Sequence, residues 1–188
     1  MEPSWDQLYE VSAAQQGLFT TRQAEEAGYS VPLLHHHVKA GRIQRLQRGI
    51  YRLVHFPAGD QEPLVAAWLW SDRAGVASHQ SALALHSLSD ILPSRIHLTV
   101  PESWRKRRLH ASSEVVLHYA DLVSDEVGWY SAVPTTSPKR TLVDCARASV
   151  SPELVRAAAM QAVRRGLVQR RDLDEVDAVL APFGGLAR

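Results

Sequence analysis

The chain has 188 residues, of which 45% are hydrophobic and 22% charged, so it can bury the core of one large domain or two modest ones. Its one cysteine, Cys145, excludes an internal disulfide framework and a four-cysteine metal site, as is typical of a reducing cytosol. The N-terminus carries acids where a secretory signal has cations, and no apolar run approaches the ~20 residues of a membrane helix. We therefore expect a cytoplasmic protein.

The formal net charge of +1 hides an uneven distribution along the chain. Residues 1–28 hold one cation and five acids, whereas residues 29–56 hold five cations and no acid. Residues 57–138 hold six cations against nine acids, and residues 139–188 hold nine against six. A local basic excess beside an acidic neighbour indicates a patch directed at a polyanion.

The first forty residues predict three short helices. Apolar residues recur at helical spacing over residues 5–16, and a glycine follows where that helix should stop. The second helix is capped by Thr20 or Thr21 and ends at Gly28. The third starts at Ser30, an N-cap residue, and runs to the next glycine.

The third predicted helix has one apolar and one polar side. Leu34 and Val38 are four residues apart and can face the core. Pro32 fits the first turn, where its missing N–H does no harm. The remaining surface is polar and cationic, and it faces away from the predicted core.

A hairpin follows the third helix. IQRLQ and IYRLV predict two short strands joined at Arg48-Gly49, where glycine supplies the positive φ that a tight turn needs. Helix, short helix, helix, hairpin is the order of a winged helix-turn-helix. Cations suit both elements, because a helix fits the major groove of DNA and a hairpin can follow the backbone or enter the minor groove.

We therefore predict a DNA-binding surface on the third helix and the hairpin. Phosphate contacts set position and base contacts set sequence. The predicted phosphate ligands are Arg42, Arg45, Arg48 and Arg52. The residues predicted to meet base edges or nearby phosphates are Ser30, Pro32, His35, His36 and Lys39. Two alternatives stay open, since short cationic hairpins are often solvated edges and winged helices also serve as protein-docking modules.

Three consecutive histidines, His35–His37, do not predict a metal site. Neighbouring residues of a helix diverge by ~100°, so three adjacent imidazoles cannot converge on one ion. We expect His37 to pack against the helices while His35 and His36 face outward, which would make binding modestly pH-sensitive.

The stretch FPAGDQEP, residues 56–63, is the best candidate linker, because it places two prolines and a glycine between two regular patterns. It separates a DNA-binding domain, residues 1–56, from an α/β domain, residues 57–188. The predicted fold class is α+β, an N-terminal winged helix-turn-helix followed by a mixed α/β C-terminal domain.

The second predicted domain combines helices with a small sheet. PLVAAWLW and HQSALALHSL predict core helices, the second of them capped by Ser78. Pro138 starts a further helix, and residues 151–180 predict two more. The predicted strands are RIHLTVP, VVLHY and WYSAVP.

Two basic segments have open roles. Arg105–Arg108 form four consecutive cations, which indicate either a solvated loop or a second patch for phosphate or a partner. Arg164–Arg171 hold a second cluster, at the junction between the last two helices. This cluster can cover helix carbonyl ends, contact DNA or meet an acidic partner.

Catalysis and cofactors are not supported by the sequence. It contains no phosphate loop, dinucleotide glycine pattern, nucleophile elbow or histidine pair spaced for zinc. Cys145 is most simply a small core residue. The histidines of the second domain are scattered, and we expect each to be structural or solvent-facing: His79, His86, His97, His110 and His118.

Three segments together resemble the AbiEi-type antitoxins of bacterial type IV toxin–antitoxin systems. They are LFTTRQAEEAGYSVPLLHHHVKAGRIQRLQRGIYRL, SHQSALALHSLSDILPSRIHLTVP and SPKRTLVDCARA. The resemblance runs from about residue 5 to residue 165, and it rests on the combination and order of the segments.

The resemblance implies a winged helix-turn-helix that binds inverted repeats in its own promoter and represses the operon. It implies contacts to double-stranded DNA from residues 30–39 and from Arg45, Arg48 and Arg52, with two copies favoured on a two-fold site. It also implies a C-terminal domain that neutralises a nucleotidyltransferase-like toxin, directly or indirectly. Some longer relatives carry a nuclease-like domain, whose acidic and lysine constellation this sequence lacks.

The first hypothesis is therefore a DNA-binding repressor that is also the antitoxin of a two-gene operon. The alternative is a winged-helix docking subunit that binds a toxin or another partner without specific DNA binding. A hydrolase or nuclease, the third hypothesis, needs carboxylates clustered near a pocket.

Overall fold

Three short helices, each begun by a capping residue, form the start of the chain. The computed structural model describes residues 2–90, 93–109 and 111–186. Helix α1 spans Trp5–Ala13, α2 spans Thr21–Glu26 and α3 spans Val31–Lys39. Thr20 caps α2 in a reciprocal capping box with its N3 residue, and the Ser30 side chain accepts a hydrogen bond from the first turn of α3. The predicted helices and the Ser30 cap are confirmed, and the structure selects Thr20 over its neighbour.

A small antiparallel sheet joins the helices to the hairpin. Strand β1 spans Leu18–Thr20, β2 spans Ile43–Gln47 and β3 spans Ile50–Leu53, in the order β1-β3-β2. The hairpin was predicted and is confirmed, with Gly49 at φ +79° in its turn. Strand β1 was not predicted, because three residues are too few to show an alternating pattern.

The core of this part of the chain lies between the helices and the sheet. Phe19 on β1 is opposite Tyr51 on β3, and their rings stack with centroids 5.7 Å apart. Leu8 of α1 and Leu34 of α3 are fully buried in the same cluster. Burial of these side chains holds the three helices against the strands, since each contributes roughly 2 kcal/mol of transfer free energy.

Helix α4, Glu62–Trp70, begins inside the predicted linker. The chain divides by its contacts into two compact units, Met1–Arg73 and Ala74–Arg188, so α4 belongs to the first unit. This division falls later than the predicted boundary because α4 packs on β1 and β3. The assignment of separate functional domains to residues 1–56 and 57–188 stays a prediction.

The second unit contains a mixed sheet among its described residues. The strand order is β6-β5-β4-β8-β7, with parallel pairing of β5 to β6 and of β4 to β8 and antiparallel pairing elsewhere. The strands are β4 Val76–Ala77, β5 Ile96–Val100, β6 Val115–Tyr119, β7 Val127–Tyr130 and β8 Val133–Thr136. RIHLTVP and VVLHY are thereby confirmed as strands.

The prediction of one strand over WYSAVP is wrong. The segment turns back on itself, so that β7 and β8 form a hairpin. Ser131, in the turn, adopts φ +53°, a left-handed conformation that an apolar–polar pattern does not predict. The run of apolar residues is therefore two short strands separated by a tight turn.

Four helices of the second unit pack into its main core. They are α5 His79–Leu85, α6 Pro138–Arg147, α7 Pro152–Arg164 and α8 Asp174–Leu180. Single 3₁₀ turns occur at Glu102–Lys106, Ser124–Glu126, Arg170–Leu173 and Ala181–Phe183. Cys145 is fully buried in this core, as predicted, and burial raises the pKa of its thiol to about 12, so the thiolate is disfavoured.

Part of the C-terminal arginine cluster caps carbonyl groups, one of the predicted alternatives. Arg165 Nη1 donates to the carbonyl oxygens of His86 and Ser87 at the end of α5, at 2.6 and 3.0 Å. Arg170 Nη2 donates to the carbonyl oxygen of Leu186 at 2.9 Å. These two guanidinium groups satisfy orphan carbonyls of their own chain.

The coarse fold class is confirmed, since the chain is a mixed α/β protein with helices and two sheets among its described residues. The helix-rich N-terminal part is consistent with a helix-turn-helix. No helix of the described residues is both long and apolar enough to cross a membrane.

Leu34→Ala should destabilise the first unit by about 2–5 kcal/mol, because it deletes a fully buried side chain that bridges α3 and the sheet. Val31→Ala, at an exposed position of the same helix, is the control and should change stability by less than about 0.5 kcal/mol. Urea denaturation followed by circular dichroism measures both. An equal effect of the two substitutions would contradict the core assignment.

Candidate nucleic-acid interface and a histidine cleft

Helix α3 exposes one continuous polar stripe. Pro32, His35, His36 and Lys39 are all exposed, and their spacing of i, i+3, i+4 and i+7 places them on one face. Ser30, also exposed, precedes the helix and accepts a hydrogen bond from Leu33 N at 3.4 Å. The structure thus brings four of the five residues predicted for base edges onto one face of α3, and the fifth, Ser30, is exposed at its N-cap.

His37 points the other way, as predicted. Its ring lies 5.5 Å from that of Tyr29 and 6.5 Å from that of Trp5, measured between centroids. Burial, followed by the charges of Arg42 and His36, lowers the pKa of His37. The imidazole is therefore part of the helix packing, and the outward pair His35 and His36 is left on the surface.

Three of the predicted phosphate ligands are exposed cations on or beside the hairpin. Arg42 precedes β2, Arg45 lies on β2 and Arg48 lies in the turn. Arg45 Nε donates to the carbonyl oxygen of Gln47 at 3.4 Å, across a bulge in β2. Among the described residues, no acid lies within ion-pair distance of these arginines or of Lys39. Their charge is available to a polyanion.

Arg52 does not share this exposure, and the prediction of Arg52 as a phosphate ligand is not retained. Its Nε donates to Glu62 Oε2 at 2.8 Å and its Nη2 to the carbonyl oxygen of Phe56 at 2.9 Å. Only 14% of its side chain is exposed. The guanidinium therefore ties β3 to α4. It is not free to bind a phosphate, because that would leave the partly buried carboxylate of Glu62 without its partner.

An apolar cleft of about 450 Å³ borders this cationic surface at Arg42. Trp5, Tyr9 and Phe56 form its walls, and Arg42 and His55 lie at its polar edge. Trp5 is 41% exposed and Tyr9 48% exposed. The sequence assigned Trp5 and Tyr9 to the apolar side of α1, and only the fold, which places Phe56 beside Tyr9, shows that they line an accessible cleft.

Three histidines of the second unit, expected to be scattered, form one stack. The rings of His79 and His118 face each other with centroids 3.4 Å apart, and the ring of His97 lies beside them, 5.2 Å from that of His118 and 6.0 Å from that of His79. One ring N–H joins His97 Nδ1 to His118 Nε2 at 3.0 Å. The prediction failed because the contact depends on the parallel pairing of β5 with β6. In that register His97 is opposite Val116, and His118, two residues further along β6, points to the same face of the sheet. His110 lies outside the described residues.

His79 adopts a strained backbone conformation. Its φ is +51°, in the left-handed region that non-glycine residues rarely occupy. Its Nδ1 lies 3.0 Å from Ser78 Oγ, which also accepts a hydrogen bond from Thr99 Oγ1 at 2.8 Å. Strain of this kind costs about 1–3 kcal/mol and persists where surrounding contacts fix it, often at functional sites. Ser78 thus lies at the N-cap of α5, as predicted, but its hydroxyl contacts the imidazole of His79 and accepts no hydrogen bond from a backbone N–H of the helix.

A buried ion-pair network stands beside the histidine stack. Arg140 Nε donates to Asp144 Oδ1 at 2.8 Å, and Arg140 Nη1 donates to Glu126 Oε1 at 3.0 Å. Asp144 is 6% exposed, and its second oxygen, Oδ2, is buried without a hydrogen-bond partner. Burial raises the pKa of Asp144 although Arg140 opposes the change. An unsatisfied carboxylate oxygen of this kind costs about 1–3 kcal/mol.

These groups line one cleft of about 380 Å³, here named the histidine cleft. Its chemistry comes from His79, His118, Tyr119, Arg105, Arg140, Asp144 and Arg147. The stacked rings do not converge on a point, and no group of three or more histidine, cysteine or acidic side chains in the described residues is arranged to hold a metal ion. Burial, followed by nearby cationic groups, lowers the pKa of His79 to about 3, and burial followed by His97 lowers that of His118 to about 4. Both imidazoles are neutral at pH 7.

The N-terminal unit, with a polar helix face and a cationic hairpin, is consistent with a helix-turn-helix. A family model described as "Transcriptional regulator, AbiEi antitoxin" matches residues 6–54. The resemblance to AbiEi antitoxins is confirmed over that segment, and the match suggests a regulatory or antitoxin role. The matched segment includes α1 to β3 and does not reach the second unit.

Among solved structures, the chain is similar to the RV2827C protein from Mycobacterium tuberculosis. The two share 15% identity and a TM-score of 0.49, over 95% of this chain and 76% of that chain. A similarity this distant carries no argument about function. No curated protein matches the chain.

The free energy of unfolding should fall as the pH is lowered from 7 to 5, because the pKa values of His79 and His118 are depressed in the folded state. Below pH 6.5 the unfolded chain takes up protons that the folded chain does not, so the two histidines together remove on the order of 2 kcal/mol of stability by pH 5 once solvent screening is allowed for. Urea denaturation at both pH values measures the loss.

His118→Gln should reduce this loss, and His55→Gln, at an exposed position of the first unit, should leave it unchanged. Asp144, whose pKa is raised, contributes in the opposite direction in all three proteins and cancels in the comparison. The same acid sensitivity in His118→Gln as in the original chain would contradict the burial of a neutral imidazole.

Proposed function

We propose that the chain is a DNA-binding transcriptional repressor of its own operon and the antitoxin to a nucleotidyltransferase-like toxin. Residues 1–56 act as a winged helix-turn-helix, with α3 in the major groove and the β2–β3 hairpin along the backbone. Residues 57–188 act against the toxin. The protein works in the cytoplasm, and inverted repeats in its promoter seat two copies.

The observation that carries the proposal is the set of unpaired cations beside the exposed face of α3. Lys39, Arg42, Arg45 and Arg48 are exposed, and none has an acidic partner among the described residues. A surface that kept such charges for solubility alone would be expected to intersperse both signs, as the rest of this chain does. Duplex DNA supplies the missing negative charge, one per ≈ 1.7 Å of helix axis.

The two elements divide the work of recognition. Arg42, Arg45 and Arg48 bind phosphates and set the register of the protein on the duplex. Ser30 and Pro32 at the start of α3, and His35, His36 and Lys39 along it, meet base edges or the phosphates next to them. The main-chain hydrogen bond from Thr21 N to the carbonyl oxygen of Gly49, 3.0 Å long, fixes the turn that presents Arg48. Preorganisation of this turn reduces the entropy lost on binding.

A second candidate is a docking subunit that binds a partner protein without specific DNA binding. The apolar cleft of Trp5, Tyr9 and Phe56 favours it, because exposed aromatic residues beside a cation are typical anchors of protein interfaces. Co-purification of a stoichiometric partner by a chain with no measurable DNA affinity would support this candidate over the repressor. A nucleotidyltransferase-like reading frame beside the gene would support the antitoxin part of the first.

Arg48→Ala should weaken binding to promoter DNA and to random DNA alike, since it removes a phosphate contact. The slope of log K against log salt concentration should fall by about 0.9 for each contact removed. Electrophoretic mobility shift at several salt concentrations, with the chain's own upstream DNA, measures both quantities.

Arg164→Ala removes an exposed arginine from the second unit and is the matched control. It should leave the affinity and the salt slope unchanged. Equal losses of affinity from both substitutions would show a general charge effect. If the original chain bound promoter and random DNA equally well at ordinary salt, that result would count against the repressor.

His36→Ala and Lys39→Ala should change which base pairs are preferred more than they change the overall affinity, because these side chains lie on the face of α3 directed at the groove. Each lost base contact should cost roughly 1–3 kcal/mol at one position of the site. Selection of bound sequences from a randomised pool reads out the preference. Arg42→Ala is the comparison and should weaken binding to all sequences evenly. If neither His36→Ala nor Lys39→Ala altered the preference, the assigned roles would be contradicted.

A further inference from the structure

The histidine cleft is a built site rather than a gap between loops. It encloses about 380 Å³, within the size range of pockets for small molecules. Its lining is mostly polar and comes from four elements, α5, β5, β6 and α6, together with the 3₁₀ turn after β5. All of these elements belong to the second unit, so the cleft is independent of the surface proposed for DNA.

Three guanidinium groups are held in place around the cleft. Arg140 is fixed by Asp144 and Glu126. Arg105 donates twice to Glu102, at 2.6 and 3.0 Å, and its guanidinium carbon lies 4.9 Å from the centre of the Tyr119 ring. A carboxylate that pairs with one side of a guanidinium fixes its orientation and leaves the N–H groups on the other side free to donate. No hydrogen bond of the described residues uses Arg140 Nη2.

Arg105 and Arg147 form the accessible edge of the cleft. Their side chains are 59% and 61% exposed, and Arg147 is oriented by Glu175. Planar guanidinium groups with free N–H donors bind phosphate oxygens in pairs. This edge therefore fits an anionic group of a ligand.

The interior of the cleft contains a hydrogen-bond acceptor that has no donor. Asp144 Oδ2 is buried and has no partner, so an N–H or O–H group of a ligand would satisfy it. Sulfate offers no such donor and would be repelled by the carboxylate, whereas inorganic phosphate carries an O–H group at pH 7 but has no planar ring to lie on the imidazoles. A metal cation is disfavoured by the surrounding guanidinium groups and by the stacked arrangement of the imidazoles.

The histidines add an uncharged aromatic face to the lining of the cleft. His79 and His118 stack on each other with their rings 14° from parallel, so a ligand ring can lie on an outer face of the pair. Neutral aromatic rings of this kind favour a planar ring system by stacking. The ligand should therefore combine a phosphate, a planar ring and an N–H or O–H donor.

We propose that the histidine cleft binds a mononucleotide, with the phosphate at Arg105 and Arg147 and a donor of the base or sugar at Asp144 Oδ2. The ring system lies against the imidazoles of His79 and His118. The proposal concerns binding only and assigns a ligand site to the second unit. It does not depend on DNA binding by the first unit.

Isothermal titration of the full chain with AMP, GMP, CMP and UMP tests the proposal, with inorganic phosphate and adenosine as partial ligands. At least one mononucleotide should bind at least tenfold more tightly than either partial ligand. Phosphate bound as tightly as the nucleotide would reveal a simple anion site, and adenosine bound as tightly would remove the role of the arginines. Either result, or no binding by any mononucleotide at millimolar concentration, overturns the proposal.

Two substitutions locate the binding. Arg147→Gln, at an exposed position, should weaken nucleotide binding at least tenfold and leave adenosine unaffected. Asp144→Asn keeps an oxygen for Arg140 but replaces the acceptor Oδ2 with an NH₂ group, and it should also weaken binding at least tenfold. Asp174→Asn, an exposed change of the same type on α8, is the control and should have no effect.

The imidazole resonances provide a readout that does not depend on any variant. Addition of AMP, GMP, CMP or UMP, whichever binds, should shift the ring signals of His79 and His118 and leave that of His55 unchanged. Unchanged signals from both cleft histidines at saturation would place the ligand elsewhere and overturn the proposal. Promoter binding is measured separately by mobility shift, so failure of the nucleotide site and failure of the repressor remain distinguishable.

Discussion

The pairing of β1 with β3 is the constraint on which the first unit depends. The pair is only three residues long, yet it places Phe19 opposite Tyr51 in the centre of the core. It ties the segment between α1 and α2 to the second strand of the hairpin, so the hairpin is held to the helices through main-chain hydrogen bonds. The proposed DNA surface needs this rigidity, because α3 and the hairpin must keep a fixed spacing to match one duplex.

Arginine has opposite roles in different parts of the chain, and the placement of acids decides between them. Around α3 and the hairpin, Arg42, Arg45 and Arg48 lack acidic partners among the described residues, which leaves their electrostatic free energy to be gained on binding. Arg52, only a few residues away, is neutralised by Glu62 and serves to join β3 to α4. In the second unit Arg140 is held by two acids, which fixes its direction rather than cancelling its hydrogen-bonding capacity.

Local signals were sufficient wherever one residue fixes the backbone by itself. Ser30 began a helix and Gly49 formed the hairpin turn as predicted, because capping and positive φ are properties of a few adjacent residues. The stripe of exposed residues on α3 was also predictable, since it follows from the helical period alone. Sequence reasoning failed at WYSAVP, where Ser131 takes a left-handed conformation without glycine, and at His79, His97 and His118, which no sequence spacing connects.

The sequence by itself determined the order of the first three helices and the hairpin, the segregation of the cations and the resemblance that the match over residues 6–54 confirmed. These are short-range properties, set by periodicity, caps and composition. Only the tertiary structure decided that Arg52 is internal, that Asp144 keeps an unsatisfied oxygen and that three distant histidines share one cleft. Such facts depend on which strands pair and which acids fold back against which arginines, and those contacts join residues far apart in the chain.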